Sequence, residues 1–184
     1  MGRPKQLLPL GDRTVMEQCI RAIAEAGIGD VVVVLGPDAV DIAAAVRGFP
    51  VKTVFNRQQG REMAESARTG LDAVSSGSTG ILLCLADHPL VTPGTMWSLA
   101  DLHAKHPESI IIPSFNRRRG HPTLFPVGII RDIGAQHTMR DVISAHEREI
   151  VYMNTDDEGI LLDMDTMEDY ERIRDAYQGK DKGQ

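Results

Sequence analysis

Short apolar runs alternate along the chain with stretches whose apolar residues recur every three or four positions. Runs of the first kind predict strands buried on both faces, and stretches of the second kind predict amphipathic helices. The predicted strands cover residues 31–35, 51–55, 81–85, 110–112 and 150–153. Strands that alternate with helices favour helices on both faces of one sheet. We therefore predict a three-layer α/β/α, Rossmann-like fold with a mostly parallel sheet.

Polar residues mark the ends of the predicted helices. Thr14 and Glu17 form a Thr-x-x-Glu capping box for a helix that ends near Ala26, with Gly27 at its C-cap. A further helix is predicted over residues 62–74, and the last helix ends near Tyr177. The remaining predicted N-caps are Asp38, Thr92, Thr138 and Thr166.

The composition fits one globular domain over residues 1–177, followed by a polar tail at 178–184. The formal net charge of −6 argues against nucleic acid as a partner. Cys19 and Cys84 lie in apolar stretches without metal-site spacing, which predicts buried thiols in a reducing compartment. We find neither a signal peptide nor an apolar run of membrane-spanning length, so we expect a cytoplasmic protein with no membrane partner.

Carboxylates at strand ends are the first candidates for chemistry. Asp87 follows the predicted strand 81–85, at the sheet edge where open α/β folds bind ligands, and could hold Mg²⁺. Asp165 or Asp163 could supply a second carboxylate. The alternatives remain open: Asp87 could only cap a turn, and the second acidic segment could only begin a helix.

Other candidates are polar residues near predicted loops. Lys5 could neutralise phosphate charge during a transfer reaction. Asn56 follows a predicted strand, and Ser66 lies near the start of the next helix, where donors suit anions. His121 lies in Arg-Gly-His-Pro and could contact substrate, or could face solvent on a hairpin turn.

These segments, in this order, resemble the molybdenum cofactor nucleotidyltransferases, the MobA-like NTP transferases, and most closely their cytidylyltransferase (MocA-like) branch. Residues 1–8 match the second half of the family's first motif, Leu-Ala-Ala-Gly-x-Ser-x-Arg-Met-Gly-x-x-Lys-x-Leu-Leu. The family's Asp-x-Pro is matched at 87–89, its Arg-Gly-His-Pro at 119–122, and its closing Asp-x-Asp-Thr-Pro-Glu-Asp-Tyr at 163–170. The resemblance runs from Gly2 to about Tyr177.

The sequence departs from the family pattern in three places. Gln59 and Glu62 stand where Trp and Gly are usual, and Met167 replaces a proline. The first strand and the Ala-Ala-Gly loop are missing, although the family uses that loop to hold the triphosphate and to select the base. The absent strand would lie centrally, so its loss predicts unpaired edges and an open core. We expect either a chain shortened at its N-terminus or a start codon assigned too late.

The resemblance implies transfer of a nucleotidyl group from a nucleoside triphosphate to a phosphate monoester, with release of pyrophosphate. It favours CTP over GTP as donor, a molybdopterin-type cofactor as acceptor, and a molybdoenzyme or its chaperone as a further partner. It implies Mg²⁺ on Asp87 and Asp165, Lys5 and Arg3 at the triphosphate, Asn56 and Ser66 near nucleotide or acceptor, and His121 on the acceptor side. Two alternatives remain: a sugar- or polyol-phosphate nucleotidyltransferase, and a degenerate cofactor-binding chaperone without catalysis.

Overall fold

The computed structural model describes residues 4–36, 39–57, 63–131 and 138–181. Its strands are β1 (Pro9–Leu10), β2 (Arg13–Thr14), β3 (Val32–Leu35), β4 (Lys52–Phe55), β5 (Gly80–Leu83), β6 (Ile110–Phe115), β7 (Arg118–Arg119), β8 (Thr123–Pro126) and β9 (Ile150–Asn154). Its α-helices are α1 (Val15–Glu25), α2 (Val40–Val46), α3 (Met63–Leu71), α4 (Pro93–Lys105), α5 (Val127–Ile130), α6 (Met139–Ala145) and α7 (Met167–Asp181). Single 3₁₀ turns lie at Lys5–Leu7, Glu147–Glu149 and Glu158–Leu161.

Helices and strands alternate as predicted, but the strand pairing is mixed. β3 pairs with β4, and β6 with β9, in parallel. β8 lies between β5 and β6 and is antiparallel to both, which makes the sheet mixed instead of mostly parallel. β8 was not predicted, because its short apolar run lies between prolines in a segment interpreted as a loop. β7, which forms a hairpin with the end of β6, consists of two exposed arginines and has no apolar run that would predict a strand.

The sheet is divided by a cavity of about 600 Å³. Both β3 and β5 line this cavity, and among the described strands β3 pairs only with β4 and β5 only with β8. The expected open core is therefore present between these two strands. Cys19 and Cys84 also line it, and burial raises the pKa of both thiols to about 12. Both thiols are thus neutral at physiological pH.

The predicted helix starts are confirmed wherever the structure describes them. The Thr14 side chain accepts from the backbone of Glu17, and the Glu17 carboxylate accepts from the backbone of Thr14, which completes the capping box. Thr92, Thr138 and Thr166 each accept a backbone hydrogen bond three residues ahead. The predicted N-cap Asp38 lies outside the described residues.

Two predictions on element ends and burial are wrong. The last helix does not end near Tyr177 but continues to Asp181, because helical hydrogen bonds can continue through a solvated polar segment without an apolar face. β4 is largely exposed, although its apolar run predicted burial on both faces. The reason is its position at the edge of the sheet, where it pairs only with β3 among the described strands.

A buried cluster links the two ends of the described chain. Its fully packed members are Leu10, Val15, Leu90, Met164, Tyr170 and Ile173. The Tyr170 hydroxyl donates a hydrogen bond of 2.6 Å to the carbonyl of Pro9. The N-terminal hairpin and α7 are therefore packed against the segment that follows Asp87.

No helix among the described ranges has both the length and the apolar character needed to cross a lipid bilayer.

Gly159 is held so closely that a larger residue should destabilise the fold. A Cβ at this position would lie 2.5 Å from the carbonyl carbon of Leu90 and 2.9 Å from Oδ1 of Asp157. Overpacking against backbone costs about 1–3 kcal/mol, so Gly159→Ala should lower the free energy of unfolding by about that amount. Urea denaturation followed by circular dichroism measures this change.

Gly128→Ala is the matched control, because a Cβ at Gly128 would meet no atom within 4 Å. Gly128 lies in α5, where alanine is the better helix former, so this variant should be as stable as the parent or slightly more stable. Equal stability of the two variants would contradict the close packing of Gly159.

Candidate active site

Two aspartates from distant parts of the sequence converge on one lysine. The Nζ atom of Lys5 lies 2.9 Å from Oδ2 of Asp87 and 2.8 Å from Oδ1 of Asp165. The two carboxylate oxygens are therefore no farther apart than the sum of these distances. The expected convergence of Asp87 and Asp165 is thus present in the geometry.

Each member of this cluster is placed by a different element. Lys5 begins a 3₁₀ turn that is anchored by the buried side chain of Leu7. Asp87 lies in the segment between β5 and α4, and Asp165 lies just before α7. The side chain of Asp165 is 67% exposed, whereas those of Lys5 and Asp87 are 26% and 24% exposed. Asp165 therefore forms the solvent side of the cluster.

The charges of the cluster shift the pKa values of its members. Burial alone would lower the pKa of Lys5, but its hydrogen bonds to Asp165 and Asp87 outweigh burial and raise it. The hydrogen bond from His88 holds the pKa of Asp87 well below its ordinary value, assisted by Lys5 and against the effect of burial. Asp87 is therefore ionised at neutral pH and Lys5 is charged.

His88 is the direct neighbour of Asp87 in space as well as in sequence. Its Nδ1 atom lies 3.0 Å from Oδ1 of Asp87, and the residue is 9% exposed. Because a carboxylate only accepts hydrogen bonds, Nδ1 carries the proton in this contact. Asp87 thus receives one donor on each oxygen, from His88 and from Lys5.

His121 packs against His88 and not into open solvent. The two imidazole rings lie 5.2 Å apart, centroid to centroid, at an interplanar angle of 72°. The backbone N–H of His121 donates to the carbonyl of Ile160 at 2.9 Å. Burial, and then the proximity of His88, lower the pKa of His121, so its ring is neutral at pH 7. Its buried Nδ1 has no hydrogen-bond partner among the described residues.

Asp163 is exposed, and its charge opposes the lowering of the His121 pKa. The ion pairs of Lys5 within the described ranges are with Asp87 and Asp165. Of the two aspartates left open by the sequence, Asp165 is therefore the one that shares a cation with Asp87.

Asn56 and Ser66 form a separate pair. Asn56 is 6% exposed, and its Nδ2 atom lies 3.4 Å from Oγ of Ser66. This contact joins the end of β4 to α3, and both residues lie at the positions predicted from the sequence. The contacts of Lys5 and Asp87 within the described residues do not include this pair. Arg3, Gln59 and Glu62 lie outside the described residues.

The sequence of residues 1–151 matches the profile of the MobA-like NTP transferase domain. The chain belongs to this family. One relative, nicotine blue oxidoreductase of Paenarthrobacter nicotinovorans, is 31% identical over 137 residues, which cover 70% of this chain and 66% of that protein. The family is one of nucleotidyltransferases, although this relative is named for an oxidoreductase activity.

Solved structures give the same fold. Rv0371c from Mycobacterium tuberculosis H37Rv has a TM-score of 0.79 and 29% identity, and covers 95% of this chain and 91% of its own. A manganese complex of the same protein has a TM-score of 0.74 at 28% identity, with 95% and 93% of the chains covered. A nucleotidyl transferase from Methanothermobacter thermautotroptrophicus has a TM-score of 0.82 at 24% identity, with 96% and 86% covered. The three-layer α/β/α fold predicted from the sequence is thereby confirmed.

The donor set of this MobA-like domain fits a hard divalent cation. The described residues contain no group of three His, Cys, Asp or Glu side chains arranged to hold a metal ion by themselves. Mg²⁺ is commonly held by one or two carboxylates together with substrate phosphates and water, and needs no all-protein cage. Asp87 and Asp165, which already share one cation, supply that number of carboxylates.

Sequence reasoning missed one member of the site and one of its supports. The signal for His88 was its position directly after Asp87. The other residue is Asp157, which binds the start of α4. No sequence pattern indicates this role of Asp157, since Thr92 and Thr95 lie more than 60 positions away.

Lowered histidine pKa values predict acid sensitivity of this MobA-like domain. Burial also lowers the pKa of His103, which is 7% exposed and contacts Thr79 through Nε2. Because His103 and His121 bind protons less readily when folded, stability should be complete above the ordinary histidine pKa near 6.5 and fall below it. The melting temperature, measured from pH 8 to pH 5, should decrease only below about pH 6.5.

The variant His103→Gln should make this decrease smaller, since it removes one of the two histidines concerned. A melting temperature that is constant from pH 8 to pH 5 in the parent chain would contradict the lowered pKa values.

Proposed function

We propose that this chain transfers a nucleotidyl group, CMP from CTP in preference to GMP from GTP, to the phosphate of a molybdopterin-type cofactor. The observation that carries the proposal is the convergence of Asp87 and Asp165 on Lys5. Family membership supports the reaction class, since the matched domain is that of NTP transferases. The Arg-Gly-His-Pro segment at 119–122 supports the choice of acceptor.

The bond changes are those of a phosphoryl substitution. An oxygen of the acceptor phosphate attacks the α-phosphorus of the triphosphate, and the bond from this phosphorus to the bridging oxygen of the β-phosphate breaks. Pyrophosphate leaves with the bonding electrons. A phosphate acceptor is already ionised at neutral pH, so no side chain has to remove a proton. Positioning and charge neutralisation are therefore the main tasks of the protein.

The two aspartates would hold Mg²⁺ together with phosphate oxygens of the nucleotide. When bound, this ion would neutralise charge on the triphosphate and act as a Lewis acid. The low pKa of Asp87 supports the role, because a metal ligand has to be deprotonated at working pH. The structurally similar Rv0371c was solved as a manganese complex, which supports the use of a divalent cation.

Lys5 would move from the aspartates to the triphosphate when the metal binds. Its ammonium already lies between the two carboxylates, beside the site proposed for the metal and the phosphates. There it would neutralise the charge that builds up on the phosphates in the transition state. Arg3, two positions earlier, would assist at the triphosphate.

The acceptor would lie on the side of His88 and His121. A neutral imidazole whose Nδ1 lacks a partner among the described residues can exchange a hydrogen bond with an incoming ligand. His121 would bind the acceptor, and His88 would keep Asp87 ionised and oriented. Asn56 and Ser66 would contact the nucleotide or the acceptor from the end of β4.

Replacing Asp87 tests the proposed metal role. Asp87→Asn keeps the shape of the side chain but removes its charge, so nucleotidyl transfer should fall about 100-fold or more. The assay measures pyrophosphate release with CTP or GTP, Mg²⁺ and a molybdopterin-type acceptor. Asp165→Asn should act in the same direction. Asp163→Asn is the matched control, and its rate should stay within about twofold of the parent.

Three outcomes of this assay would overturn the proposal. The metal role fails if Asp87→Asn turns over at the parent rate. The acceptor assignment fails if only sugar or polyol phosphates are used. The transferase function fails if the parent releases no pyrophosphate and binds neither CTP nor GTP, as expected of a chaperone; a redox reaction, which the name of one relative allows, would likewise release none.

Replacing Lys5 should have opposite effects on metal binding and on catalysis. Without nucleotide, the ammonium of Lys5 repels a divalent cation from Asp87 and Asp165, and the repulsion is about 1 kcal/mol or more. Lys5→Met should therefore strengthen Mn²⁺ binding roughly fivefold, while the transfer rate falls about 100-fold. Electron paramagnetic resonance measures the free Mn²⁺.

Lys52→Met is the matched control, because Lys52 pairs with Asp30 at 2.7 Å on the exposed strand β4. It should alter neither quantity. Weaker Mn²⁺ binding in Lys5→Met would mean that Lys5 supports the metal and does not compete with it.

A further inference from the structure

The carboxylate of Asp157 joins two segments that are far apart in the sequence. Its Oδ2 atom accepts from the Thr92 backbone N–H at 2.8 Å, from the Thr92 hydroxyl at 2.9 Å and from the Thr95 hydroxyl at 2.7 Å. Its Oδ1 atom accepts from the backbone N–H of Gly159 at 3.0 Å. One oxygen therefore binds the first turn of α4, and the other binds the 3₁₀ turn that follows Asp157.

The contact of Asp157 with α4 bears on the position of Asp87. Thr92 is the N-cap of α4, and the segment that ends there carries Asp87 and His88. Gly159 also packs against the carbonyl of Leu90 in this segment, so closely that a Cβ on Gly159 would overlap it. Close packing against the turn at Glu158–Leu161 therefore restricts the position of the segment that carries Asp87 and His88.

The 3₁₀ turn that follows Asp157 contacts the backbone of His121. The carbonyl of Ile160, in the same 3₁₀ turn, accepts the hydrogen bond from the backbone N–H of His121. Ile160 is fully buried, and a Cβ on Gly120 would lie 2.5 Å from its carbonyl oxygen. The backbone at His121 is thus fixed to the turn by a hydrogen bond and by close packing.

We propose that Asp157 is a positioning residue of the active site, which fixes the segment of Asp87 and His88 relative to the segment of His121. This inference rests on the proposed function, because it gives Asp157 an effect on nucleotidyl transfer through residues that it does not touch.

The variant Asp157→Asn removes one of the two sets of hydrogen bonds that Asp157 accepts. An asparagine has one accepting oxygen, and its amide nitrogen only donates. If the oxygen keeps the three hydrogen bonds of α4, the amide faces the N–H of Gly159, and the turn loses its acceptor. The opposite orientation breaks the contacts with α4. Either orientation frees one of the two segments without removing the bulk of the side chain.

Two measurements test whether Asp157→Asn displaces the two segments. The first is the nuclear Overhauser cross-peak between the rings of His88 and His121, recorded on histidine-labelled protein. The second is the steady-state rate with CTP, Mg²⁺ and acceptor. We expect Asp157→Asn to weaken the cross-peak and to lower kcat about 10- to 100-fold, because displacements near 1 Å have effects of this size.

Asp156→Asn is the matched control, because it removes the same charge at the neighbouring, exposed position. It should retain both the cross-peak and kcat. Thr95→Ala, which removes one donor to Asp157, should resemble a weaker Asp157→Asn, and Thr95→Ser, which keeps the hydroxyl, should restore kcat. If circular dichroism shows that Asp157→Asn does not fold, the two Thr95 variants still test the proposal.

The proposal is overturned if Asp157→Asn behaves as Asp156→Asn does. It is also overturned if kcat falls while the cross-peak is unchanged, since Asp157 would then act by another route. If the parent chain releases no pyrophosphate, the proposed function fails, and the cross-peak alone decides whether Asp157 positions the two segments.

Discussion

The site depends on holding two like charges beside each other. Asp87 and Asp165 both lie within hydrogen-bond distance of the Lys5 ammonium, which offsets their mutual repulsion. An ion pair as exposed as that of Asp165 contributes only about 0–1 kcal/mol, so it cannot by itself hold two ends of a chain together. The convergence must be maintained by packing elsewhere.

That packing is supplied by the buried cluster around Leu10, Leu90 and Met164. Burying one such side chain stabilises the fold by about 1.5–3 kcal/mol, so the cluster outweighs the ion pairs several times over. The hydrogen bond from Tyr170 to the carbonyl of Pro9 fixes the register of α7 on the N-terminal hairpin. Hydrophobic burial therefore positions the charges, and the charges then set the chemistry.

Local signals in the sequence were sufficient for the predicted helix starts, because caps such as Thr14 and Thr92 act within one turn. They were not sufficient for β8, whose short apolar run gains its strand conformation only from its two neighbours in the sheet. The positions of Asp87 and Asp165 could be inferred from the family resemblance, and their convergence could be tested only in three dimensions. Asp157 could not be inferred, since Thr92 and Thr95 are brought to it by the tertiary fold.

The charge of the cluster bears on the form in which a nucleotide could bind. Two carboxylates and one ammonium leave a net negative charge at the site, on a chain whose formal charge is already −6. His121 does not offset it, because burial keeps this ring neutral at pH 7. A bare triphosphate would therefore be repelled at short range, whereas a triphosphate that carries a divalent cation would be attracted by the same carboxylates. The proposed function thus requires the nucleotide to arrive as its metal complex, and Lys5 becomes available to the phosphates only when its two partners bind another cation.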